Sequence, residues 1–168
     1  MATWIALCAL IVAGLSFWNA GRARKEVKEA REEHNRETWD RERAAILALL
    51  DAANATLMQL KTHLHEMQGR CESQPQPVQV LMHDDLEKIQ GLLDQLATSH
   101  ERYGNSKTKF SGYRRDDISL EQLIAAHAQI KGNVAVADAL RRTADHISQY
   151  FDRRLEEAIE YSTGLHTR

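Results

Sequence analysis

Ile46, Leu50, Ala53, Leu57, Leu60, Leu64 and Met67 follow one another at alternating steps of four and three residues. The same rhythm returns at Met82, Leu86, Ile89, Leu93, Leu96, His100 and Tyr103. A 4–3 repeat lines up on one stripe of an α-helix, whereas a strand face repeats every second residue. Between the stripes lies "GRCESQPQPVQ", residues 69–79, which carries Gly69 and the only two prolines, Pro75 and Pro77. Those residue types end helices. Two matched stripes around a short proline loop predict an antiparallel coiled-coil hairpin over residues 44–103. Leu47, Leu49 and Leu92 broaden the stripe, so the hairpin needs more apolar cover than its two arms supply. Ile46, Leu50, Leu57, Leu60, Leu64, Met82, Leu86, Ile89, Leu93 and Leu96 form the expected partner-binding seam.

The second constraint is "MATWIALCALIVAGLSFWNAGRARK", in which no charge occurs from Ala2 to Trp18. Roughly 20 helical residues match the hydrocarbon core of a bilayer, so residues 1–21 are expected to form a transmembrane helix. A cleaved signal would carry a basic residue before the apolar run and small residues at the cut. Here a cut after Ala20 would leave Trp18 in the −3 position. Trp4 at one end, with Phe17 and Trp18 at the other, suits the two interfaces of a retained anchor. Arg22, Arg24, Lys25 and Lys28 follow the run. The positive-inside rule then places the N-terminus outside and the C-terminal domain in the cytoplasm, at an inner (cytoplasmic) membrane. Ala9 and Ala13 form a small-xxx-small pair, a common pattern in such spans.

Residues 22–43, "RARKEVKEAREEHNRETWDRER", have almost no apolar face. Their charges are placed to pair at i,i+4: Arg22–Glu26, Lys25–Glu29, Lys28–Glu32, Glu32–Arg36 and Glu37–Arg41. Several pairs of a few tenths of a kcal/mol each can hold a solvated helix. The expectation is a charged stalk with a thin seam at Ala23, Val27 and Ala30, zipped weakly to a second copy.

Residues 104–117, "GNSKTKFSGYRRDD", read as a basic loop. Lys107, Lys109, Arg114 and Arg115 alternate there with Phe110 and Tyr113, giving candidate phosphate contacts. Asp116 and Asp117 cancel part of that charge, and nucleic acid is not expected as a partner. Ser119 with Gln122 makes a capping box that opens the C-terminal helices of residues 118–168. Gly132-Asn133 reads as the end of the first of these. Val136, Leu140, Ala144, Ile147, Phe151, Leu155 and Ile159 then fit one long amphipathic helix. "GNVAVADALRRTADHISQYFDRRL" also resembles a helix-turn-helix, but Arg141 and Arg142, both good helix formers, stand where its turn should be.

The search for chemistry is mostly negative. There is no P-loop, nucleophile elbow, HExxH or CxxC. His63 or His65 would approach His83 near the hairpin tip, beside Asp84, Asp85 and Cys71, all metal-ligating types. His63 and His65 are two apart and point to different sides of a helix, so no metal and no cofactor is expected. Cys8 in the apolar run and Cys71 in the loop cannot pair within one chain. A net charge of −2 with 27% charged residues offers no global field for polyanions.

The fold class expected is therefore all-α: an N-terminal transmembrane helix, a charged helical stalk, and a hairpin within a small four-helix bundle. The layout resembles that of bacterial inner-membrane coiled-coil proteins. It implies a non-enzymatic adaptor or scaffold whose partners are the lipid bilayer and either its own copies or a helical protein, with no small-molecule substrate. Two alternatives share the layout. One is a phage inner-membrane spanin-type lysis protein, which needs the opposite topology; the other is a membrane-tethered DNA binder using residues 132–155.

Overall fold

The computed structural model describes the backbone of residues 2–166 and the side chains of residues 17–164. The chain is all-α and forms a small helical bundle. Its elements are α1 (Ala2–Glu72), α2 (Gln76–Leu81), α3 (His83–Gly112) and α4 (Leu120–His166). Cross-helix pairs fix their directions. Arg43 reaches Phe110 and Asp51 reaches Lys107, so α3 runs antiparallel to α1. Glu42 meets His127 and Arg70 meets Asp152, so α4 runs parallel to α1. The result is an up–down–up bundle of three long helices, with the six-residue α2 closing its far end. The expected fourth helix is absent because residues 120–131 and 134–161 belong to one continuous α4.

The 4–3 repeat holds the bundle together. Ile46, Leu50, Leu57, Leu64, Ile89 and Leu96 are all buried, and α4 adds Leu123, Ala137, Ala144, Phe151 and Leu155. α4 thus supplies the extra cover that Leu47, Leu49 and Leu92 called for: Leu92 is buried and the other two are partly so. The α3 face is turned slightly from the expected stripe. His100 is exposed and Leu86 only partly buried, while Leu92 and Asp85 sit inside. On α4, Ala137 rather than Val136 faces the core, and Val136 is half exposed.

Four expected boundaries need correction. The stalk and the first hairpin arm are one uninterrupted helix, α1, of 71 residues, roughly 105 Å long at the helical rise. The expected loop at 69–79 shrinks to a short turn. Gly69 stays in α1, while Pro75 and Pro77 open α2, where a missing N–H harms no helical bond. The basic loop at 104–117 is α3 as far as Gly112, leaving only residues 113–119 between the helices. Finally, α4 runs straight through Gly132-Asn133 and through Arg141-Arg142, so the helix-turn-helix has no turn.

Burial explains the lost breaks. A glycine inside a helix costs about 1 kcal/mol relative to alanine. Tyr103 and Phe110 flank Gly104, and Ile130 and Ala137 flank Gly132, all of them in the core. Each buried large side chain contributes about 1.5–3 kcal/mol, which outweighs the glycine penalty. Tyr103 adds a bond at the break itself: its hydroxyl donates to the Asn133 carbonyl at 2.6 Å.

Among the described residues, no helix is long and apolar enough to cross a membrane. The side chains of Ala2 to Ser16, on which the anchor and the Ala9–Ala13 pair depend, lie outside the described residues.

Candidate functional site

Where α1 leaves the bundle, the α3–α4 connection wraps around it as a collar. Trp39 is 5% exposed, and its indole N–H donates to the Ile118 carbonyl at 3.1 Å. Arg43 donates from Nε to the Phe110 carbonyl at 2.9 Å and from Nη2 to the Ser111 carbonyl. Those carbonyls belong to the last turn of α3, which lacks intrahelical donors. The same guanidinium lies over the Trp39 ring, 5.7 Å from its centroid. Arg115 pairs with Asp40, and Glu42 pairs with His127. Phe110 and Tyr113 pack edge to face at 5.5 Å. The capping box closes as spaced: Gln122 N–H donates to Ser119 Oγ, and Ser119 N–H donates to Gln122 Oε1. The stalk's direction is fixed by these contacts rather than by a flexible joint.

The collar redistributes the candidate phosphate contacts. Lys107 pairs with Asp51 and Arg115 with Asp40, so carboxylates of α1 already engage two of the four. Lys109 lies over the Tyr113 ring, and the Arg114 backbone N–H is taken by Asp117. Lys107 and Lys109 are on α3; Arg114 and Arg115 are in the turn. The two aromatics face each other and the bundle, with Phe110 buried, which leaves no open stacking platform here.

The metal-ligating types at the far end also separate. His63 faces α4, where its Nε2 lies 3.0 Å from Ser148 Oγ. His83 pairs with Glu87, and Asp85 accepts from Lys88. Cys71 is fully buried, and burial pushes its thiol above the ordinary value, with the Glu72 and Asp85 carboxylates adding to the shift. A thiol held protonated is a poor nucleophile and a poor ligand. Among the described residues, no three His, Cys, Asp or Glu side chains converge as a metal site would need. His63 and Ser148 resemble the start of a catalytic dyad, but His63 is exposed, Ser148 only partly buried, and no carboxylate pairs with the imidazole among the described residues.

The seam residues predicted as a partner surface lie inside the chain's own core. All ten are buried except Leu86, which is partly so. They cannot meet a partner without opening the bundle. Among the described residues, two other surfaces stand out. One is a groove between α3 and α4, the least closely packed pair of long helices, lined by Lys88, His146, Ile147 and Tyr150 over the buried Asp85. Asp85 sits 3.1 Å from Lys88 Nζ and 3.7 Å from Arg154 Nε, so its charge is compensated. The hydrogen bond and charge of Asp85 raise the Lys88 ammonium above its ordinary value. The other surface is the side of α1 turned away from both partners, which continues into a stalk exposed all round from Phe17 to Glu37. Three of the five expected stalk pairs form: Arg22–Glu26, Lys25–Glu29 and Lys28–Glu32. Glu32–Arg36 and Glu37–Arg41 do not.

Trp39 is the functional-site residue that sequence reasoning missed. It sits among the charges of the stalk, yet it stands seven residues before Ile46 and so begins the buried repeat one heptad early.

No protein-family model matches this chain, and neither a curated protein nor a solved structure matches it.

Proposed function

We propose that this chain is a single-pass, membrane-anchored scaffold or adaptor that holds its own copies, or a helical protein partner, at a set distance from an inner membrane. The observation that carries the reading is the unbroken course of α1. It leads from the apolar N-terminal run, through an exposed charged stalk, into the centre of the bundle. From Arg22 to Trp39 the helix rises roughly 25 Å at 1.5 Å per residue. A flexible tether would keep a bundle near a membrane; a continuous helix pinned by the collar also sets its height and tilt. The bundle offers helical surfaces and compensated charges, features suited to protein contacts. Arg22, Arg24, Lys25 and Lys28, next to the apolar run, favour a cytoplasmic bundle.

Carbonate extraction of membranes from cells making the full chain tests the anchor, and reporters fused after Arg168 test the topology. The expected result is retention in the pellet with a fluorescent cytoplasmic reporter. Release into the supernatant contradicts the anchor. Retention with alkaline phosphatase activity and no cytoplasmic fluorescence would reverse the topology and favour the spanin-type alternative.

A further inference from the structure

We infer that a second copy of this chain docks on the face of α1 turned away from α3 and α4, with the two α1 helices parallel and in register. Ala44, Ala48, Asp51, Ala55 and Met58 are exposed, and each stands two residues before a core position: Ile46, Leu50, Ala53, Leu57 and Leu60. Asp51, the one charge in that run, is already compensated by Lys107 of α3. Two residues turn a helix by about 200°, so the backbone positions of these five lie on the side opposite the core. Followed towards the stalk in the same 4–3 steps, the face passes Arg41, Glu37 and His34 and reaches Ala30, Val27 and Ala23. Val27 is 68% exposed and Met58 47%, apolar side chains left open to solvent. The small residues between them let two helices approach closely.

The charges beside this face select the occupant. In a parallel, in-register pair, a residue on one edge of the seam meets the residue five positions later in the other copy. Glu26 then meets Arg31, and Lys61 meets Glu66, each twice by symmetry. The remaining edge pairs from Glu33 to Asn54 bring no like charges together: they are Glu33–Thr38, Asp40–Ala45, Leu47–Ala52 and Asn54–Gln59. Among the described residues, Arg31, Lys61 and Glu66 make no ion pair within their own chain. At the polar middle of the seam, Glu37 and Arg41 are one turn apart and can pair crosswise between copies, which sets the register. The same surface thus complements itself, as a two-fold interface requires. The inference rests on the scaffold reading for the parallel orientation, which a shared membrane would impose. A seam rich in alanine buries little area, so association depends on the high local concentration that confinement provides.

Disulfide cross-linking of the full chain in native membranes tests this, with Cys8→Ser and Cys71→Ala removing the background thiols. Single cysteines go in at Ala30→Cys and Ala48→Cys on the seam, and at Lys25→Cys and Gln149→Cys elsewhere. Ala30 and Lys25 are on the exposed stalk, so neither change can unfold the bundle. The seam positions should give several-fold more cross-linked dimer than the other two. Lys61→Glu should lower the yield at position 48, and adding Glu66→Lys should restore it. Equal yields at all four positions, or no dimer at 30 and 48, would overturn the inference; failure of the double variant to rescue would overturn the register. Carbonate extraction of the same membranes separates the two proposals. Seam cross-links in released protein keep the pair and remove the anchor, whereas retained protein without them keeps the anchor and removes the pair.

Discussion

The two halves of α1 are stabilised in different ways. From Phe17 to Glu37 every side chain is exposed, and the helix relies on local propensity and on ion pairs one turn apart. From Trp39 to Cys71 one face is buried against α3 and α4, and tertiary packing holds the helix. The boundary falls at a single side chain, Trp39, because the first strong apolar anchor and the collar meet there. The contrast shows what each half is suited to: the bundle can be damaged at one point and lost, whereas the stalk shares its stability among many weak pairs.

The most damaging change on the bundle side should be Leu57→Asp. It places a carboxylate at a position that is 1% exposed, in the centre of the core. Burying an unpaired charge costs several kcal/mol or forces a change of protonation, comparable to the stability of a small domain. Full-length protein in mild detergent should lose the cooperative part of its melt, followed by circular dichroism at 222 nm. An unchanged melt would mean that the seam is not a core.

At the boundary, Trp39→Ala should cost about 3–5 kcal/mol, the range for deleting a large buried aromatic. It removes both the packing and the indole bond to Ile118. The same melt should shift to lower temperature while the bundle still folds. A shift as small as that of a stalk variant would move the boundary inward, past Trp39.

Tyr103→Phe should cost about 1 kcal/mol, the net worth of a typical hydrogen bond. It should also change the response to alkali. Burial raises the Tyr103 phenol above its ordinary value. The stability tied to the protonated phenol is fully present below the ordinary tyrosine value and is lost as pH rises through the raised one. Melts followed from about pH 9 upward, through the ordinary tyrosine value of 10.0 and beyond it, should fall less steeply for the variant. Parallel curves would show that Tyr103 does not carry this dependence.

Smallest of all, Glu32→Ala should alter stability by a few tenths of a kcal/mol, because Lys28–Glu32 is an exposed i,i+4 pair. A larger loss would mean that the stalk is packed against something, and the contrast between the halves would fail.

Much of the bundle was legible because the 4–3 spacing of large apolar residues is itself a statement about tertiary burial. Ile46 to Met67 could be read straight into the core, and Ser119 with Gln122 into a helix start. The breaks were misread for a complementary reason. Gly104 and Gly132-Asn133 oppose helix locally, but core residues on both sides of each, with the Tyr103 bond, override them. The partner seam was misassigned because a stripe seen on two helices does not reveal that a third, α4, will cover it. The basic cluster illustrates the same limit: Asp51 and Asp40, more than fifty residues earlier, claim Lys107 and Arg115 only once the chain has folded. Trp39 was legible in principle, since it extends the repeat by one heptad, but the charges around it hid the step.

One rigid α1 joins stalk to bundle without a hinge. The most direct measurement is the distance between spin labels at Arg24→Cys and Gln59→Cys, with Cys8 and Cys71 replaced and labelled chains diluted into unlabelled ones. Both positions are exposed on α1, one on the stalk and one on the bundle. Thirty-five residues of straight helix span about 52 Å at 1.5 Å per residue, and a single narrow distribution is expected there. A broad distribution, or one centred below about 40 Å on the same helical rise, would place a bend between stalk and bundle and contradict it.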